Sequence, residues 1–159
     1  MAEFKPGYLI HGLPGHPLHP PLTDATIGIY TFATAAAVLS KLGVADQAFA
    51  QAWWLALVAG LVVTVPTALA GFAEWLLITR GSALWRTATL HLAVMVSATV
   101  VFLLAAIFGH SCYVARDISI GPFLLTLAAF VLLTCGGWLG GSLVFRFGMR
   151  VTAGKAEDA

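Results

Sequence analysis

From Ile118 to Phe145 the chain runs for 28 residues without a charged side chain, and that stretch limits the fold more than any other feature. A helix of about twenty residues, rising about 1.5 Å per residue, crosses the ~30 Å hydrocarbon core of a bilayer. Three more apolar runs precede it: Ala25 to Ser40, Trp53 to Thr79 with Glu74 near its end, and Thr87 to Phe108 with His91 near its start. Charged residues make up only 9% of the chain and mean hydropathy is +0.93, where a soluble domain carries about 25% charged residues. The chain therefore reads as an all-α, four-helix transmembrane bundle. Short connections give it up-down-up-down order.

Three segments follow from this. Residues 1–22 are a histidine- and proline-rich arm, 23–151 the four-helix transmembrane domain and 152–159 a polar tail. The opening residues lack a basic segment leading into an apolar one, so the first helix is expected to direct insertion itself. Thr23 or Asp24 is the expected cap of that helix. His16 and His19 both precede prolines, which push their predecessors toward extended backbone, so both are expected on an extended lead-in. Trp53 and Trp54 suit an interfacial belt after a connection from Gly43 to Gln51. Pro66 predicts a kink in the second span. Cys112 and Cys135 read as small apolar residues at different depths, and His110 as a solvated side chain. No internal repeat is visible in the residues.

Four spans put both termini on one side, and the basic residues choose which. Lys5, Arg80, Arg86, Arg146, Arg150 and Lys155 share the terminal side, against Lys41 and Arg116 on the other. The positive-inside rule then predicts both termini in the cytoplasm and a multi-pass protein of the bacterial cytoplasmic (inner) membrane. No basic cluster of the kind that nucleic acid needs is present. No phosphate loop, nucleophile elbow or HExxH helix suggests a nucleotide or hydrolytic enzyme.

Depth brings the polar groups together. Glu74 precedes Arg80 by six residues and His91 follows Arg86 by five, about 9 Å and about 7 Å of helix. Asp24 opens the first span, with His19 and His16 just outside it. On the fourth span Gly136, Gly137 and Gly140 fall at similar depth, in overlapping small-xxx-small spacings that bring helices close or leave room for a flat group. Ionisable side chains inside a membrane usually mark a partner or a function. Glu74 and His91 are expected either to pair with each other or with Arg80 and Arg86, or to serve a site.

Two sites are possible. In the first, His91 and an arm histidine, His19 in preference to His16, hold haem b between helices for electron transfer. Gly136, Gly137 and Gly140 then make room, and Arg80 or Arg86 meets the propionates. In the second, His16, His19, Asp24, Glu74 and His91 are a nitrogen and oxygen ligand set for a divalent transition metal such as zinc, iron or manganese. A structural subunit without a cofactor and a proton-relaying transporter rank below these. Besides the lipid bilayer, the expected partners are a redox protein or a larger membrane complex, with a homo-oligomer possible.

The segment Gly15-His16-Pro17-Leu18-His19-Pro20, the pair Gly71 and Glu74, Arg86 followed by His91, and the stretch Gly136-Gly137-Trp138-Leu139-Gly140-Gly141 together resemble the bacterial transmembrane family called domain of unknown function 2231. The resemblance spans about Gly15 to Val151. It implies a small four-helix inner-membrane module, joined in some relatives to a Rieske-type iron-sulfur domain and so expected in redox company. The chain departs from that family's pattern in lacking a proline before Ile27, in Glu74 where an aspartate is expected, and in Ser142 where an acidic residue is expected.

Overall fold

The computed structural model describes residues 12–13 and 16–151; His11, most of the arm before it and the polar tail lie outside the described residues. Two short strands, β1 (Gly12–Leu13) and β2 (His16–Pro17), pair antiparallel, with Gly12 opposite Pro17. Four helices follow: α1 (His19–Lys41), α2 (Asp46–Leu76), α3 (Ala83–Ala115) and α4 (Ile120–Phe145). All four are long and apolar enough to cross a membrane, so the chain is an all-α four-helix bundle.

The helix starts differ from the sequence reading. α1 begins at His19, with no side-chain cap and with proline in its first turn. Proline is well placed there, because the N–H it lacks has no partner inside a helix at that position. His19 is therefore a helical residue, not part of an extended lead-in. Thr23 is not a cap; its hydroxyl donates back to the His19 carbonyl at 2.9 Å. α2 begins at Asp46, well before Gln51, behind a turn in which Gly43 takes φ +77°. Trp53 consequently lies two turns inside the helix and is completely buried, so its ring faces the bundle interior and not lipid. Trp54 is half-buried and donates from Nε1 to the Ala106 carbonyl at 2.8 Å.

Large apolar side chains such as Leu69, Val131 and Trp138 face outward, where lipid would solvate them, while the interior is rich in Ala, Gly and Thr. Lipid tails are as apolar as leucine, so close packing and hydrogen bonds hold such helices together. Two of the tight seams consist of a ring seated on a glycine. Tyr30 covers Gly60 and Trp53 covers Gly109. Trp53 Nε1 also donates to Thr126 Oγ1 at 3.0 Å, joining α2 to α4.

α1 packs mainly on α2, and α3 on α4, so the bundle is two helical hairpins side by side. They repeat each other. The shift that carries His19 to His91 also carries Thr26, Tyr30, Ala33, Thr34, Ala37 and Ser40 onto Ala98, Phe102, Ala105, Ala106, Gly109 and Cys112, and all twelve are buried. The shift that carries Gly71 to Gly140 carries Leu57, Gly60, Thr67 and Glu74 onto Thr126, Ala129, Gly136 and Leu143, again all buried. Along α1 only His19 with His91 and Ala33 with Ala105 are identical across this repeat, which is why the residues alone conceal it.

Candidate functional site

The repeat places a histidine on the first helix of each hairpin and gives it the same two supports on the second. On α1, His19 Nδ1–H donates to the Thr67 carbonyl at 3.0 Å, and its ring lies against Gly71, one turn further along α2. On α3, His91 Nδ1–H donates to the Gly136 carbonyl at 2.9 Å, and its ring lies against Gly140, one turn further along α4. A carbonyl oxygen can only accept, so the Nδ1 proton is fixed in both rings and Nε2 carries the free lone pair. This second bond orients and tunes an imidazole that serves as a metal ligand. Thr23 Oγ1 lies 3.4 Å from His19 Nε2, but its proton already goes to the His19 carbonyl. That lone pair remains available.

The two histidines are half-buried, and Glu74 lies one turn along α2 from Gly71, the glycine under His19. Below them, eleven residues along each helix (19 to 30, 91 to 102), Tyr30 and Phe102 stack. Tyr30 OH and Thr64 Oγ1 are hydrogen-bonded at 3.1 Å.

A family model for predicted membrane proteins, DUF2231, matches residues 15–153. The chain belongs to the DUF2231 family. No curated protein and no solved structure matches it.

The other residues singled out in this DUF2231 chain have different surroundings. Glu74 is buried and engaged by Arg150, whose Nε–H and Nη2–H donate to its two oxygens at 2.6 and 2.8 Å. That partner is neither Arg80 nor Arg86, both of which are exposed. Arg150 arrives because the chain reverses after α4 through Gly148 (φ 63°), with Met149 N–H donating to the Leu143 carbonyl. His16 is exposed on β2, and Asp24 is exposed on α1. Among the described residues no three His, Cys, Asp or Glu side chains converge on one point. Gly136 is covered by Met95 and Gly140 by His91, so the space on that face of α4 is filled by α3; Gly137 has nothing within 4 Å of a would-be Cβ. His110 rests edge-on against Trp54, and Cys112 and Cys135 are free thiols.

Sequence reading missed Thr67, Gly71 and Arg150 as members of this layer. Gly71 had a signal in its spacing to Glu74. A backbone carbonyl such as that of Thr67 carries none.

Proposed function

We propose that this protein is a membrane-embedded haem b module for electron transfer, in which His19 and His91 would hold the haem iron. The observation that carries the reading is the repeated unit of histidine, backbone carbonyl and glycine. Both imidazoles are held in the same tautomer with Nε2 left for a ligand bond, and they come from facing hairpins of a helix bundle, a common host for cofactors. When bound, haem supplies reversible one-electron chemistry.

The chain's own groups have separable tasks. The Thr67 and Gly136 carbonyls orient the rings and raise their basicity. Gly71 and Gly140 let the rings approach the second helix of each hairpin. The Tyr30 and Phe102 stack closes the bundle beneath them against water. Arg80 and Arg86, exposed at the same end, are the cations nearest in depth for propionates. The basic-residue asymmetry supports a cytoplasmic position for that end, and a redox partner docking there fits the Rieske association that the family resemblance implies. The five-residue metal set has less support, because Glu74 is committed to Arg150 while His16 and Asp24 are exposed.

The test is the optical spectrum of protein purified in detergent after expression with haem supplied. A sharp Soret band and α and β bands that appear on reduction, at one haem per chain, are the expected result. His19→Ala and His91→Ala should each abolish the low-spin bands. A colourless preparation, or full spectra in both variants, overturns the proposal.

A further inference from the structure

Beside the histidine layer a cleft of about 470 Å³ opens between the turn that joins α2 to α3 and the segment that follows α4. That volume falls within the ~300–1,000 Å³ of small-molecule sites. Leu77, Leu84 and Met149 give it apolar walls, and Glu74, Ser82 and Arg150 give it polar ones.

Arg150 commits Nε–H and an Nη2–H to Glu74, which leaves the Nη1 donors of a side chain that is 45% exposed. Ser82 Oγ accepts the Trp85 N–H at 3.0 Å as the cap of α3, which leaves its own O–H free to donate. The Glu74–Arg150 pair is formally neutral, and the donors it leaves over suit neutral acceptor oxygens.

We infer that this cleft binds the head of a lipid-soluble quinone, its carbonyl oxygens meeting Arg150 Nη1 and Ser82 Oγ and its ring lying among Leu77, Leu84 and Met149. A quinone combines a flat apolar ring with neutral acceptor oxygens, and it reaches such a cleft through the bilayer. The choice of a redox-active ligand rests on the haem reading. Glu74 links the two, since it lines the cleft and lies one turn along α2 from Gly71, the glycine under His19.

The test is a titration of the full chain, in phosphatidylcholine nanodiscs, with a short-tailed benzoquinone and a short-tailed naphthoquinone, followed by quenching of tryptophan fluorescence. Saturable quenching by at least one of them is expected. Leu84→Phe, which fills the cleft, should remove the saturable phase. Arg150→Lys keeps a cation opposite Glu74 but loses the Nη1 donors and should weaken binding about tenfold, the equivalent of one charged hydrogen bond. Quenching that is linear, or identical in the parent and both variants, is partitioning into lipid and overturns the site. Displacement by phosphatidylglycerol at equal concentration also overturns it and assigns the cleft to an anionic headgroup. The spectrum of the same preparation separates the two proposals: intact haem bands without saturable quenching sink the cleft alone, and variant-sensitive quenching in colourless protein sinks the haem alone.

Discussion

Tyr30 and Phe102 lie face to face, their ring centroids 3.9 Å apart and their planes 1° from parallel. Each belongs to a different hairpin and each is essentially fully buried. Aromatic pairs ordinarily prefer offset or edge-on contact. Here the repeat brings equivalent positions of α1 and α3 together, and two flat rings fit between helices otherwise lined by alanine. The stack lies about 16 Å below the histidines at about 1.5 Å per residue.

The first prediction concerns this stack. Tyr30→Leu and Phe102→Leu should each destabilise the bundle by about 1–3 kcal/mol, with a coupling of about 0.5–1.5 kcal/mol in the double-mutant cycle. Tyr30→Phe should lose only the bond to Thr64, about 0.6 kcal/mol. Unfolding in mixed micelles, followed by circular dichroism, measures all three.

The glycines under the histidines should respond unequally. A Cβ on Gly71 would lie 2.6 Å from His19 Cε1, whereas one on Gly140 would lie 3.2 Å from His91 Cε1. On the proposed haem reading, Gly71→Ala is expected to displace its imidazole and lose most of the haem, and Gly140→Ala to retain more. Gly137→Ala, with open space around the new methyl, should behave as the parent. Haem per chain and the shape of the α band report each case.

Removing Arg150 leaves the Glu74 carboxylate buried without that partner. Breaking a fully buried pair costs about 3–5 kcal/mol; because Arg150 is partly exposed, about 1–3 kcal/mol is expected for Arg150→Ala. Glu74→Gln in the same background should recover part of that loss. The midpoint of unfolding in each variant decides, and equal midpoints would show the pair to be dispensable.

Across the far half of the bundle, Trp53→Phe and Thr126→Val each remove the bond between α2 and α4, at a cost of about 0.6–1 kcal/mol. The double variant should cost little more than either single one. An additive double variant would mean that the contact is not a shared bond.

The four spans were legible because charge-free runs of this length admit few folds, and the common depth of Glu74 and His91 followed from counting turns. Helix beginnings were harder. A proline argues against a helix for its predecessor but is at home in a first turn, and His19-Pro20-Pro21 presents both situations at once. Trp53 turns inward and not toward lipid because a glycine across the seam, Gly109, can receive its ring. The partner of Glu74 was hidden since Arg150 reaches it only after the chain reverses at Gly148. Least legible was the repeat, which lives in the packing register of small side chains; Thr26 and Ala98, or Glu74 and Leu143, occupy equivalent places with little chemistry in common.

The hairpins also impose an order on assembly. The bonds that set each histidine, His19 to Thr67 and His91 to Gly136, lie within one hairpin, whereas Tyr30 with Phe102, Trp53 with Thr126 and Glu74 with Arg150 all cross between hairpins. Every contact that sets His19 comes from the first two helices, so one half of the site needs nothing from the second hairpin. The second half is made the same way, and what remains is a docking of finished parts, fastened at several depths by these contacts and by bonds such as that from Trp54 to the Ala106 carbonyl.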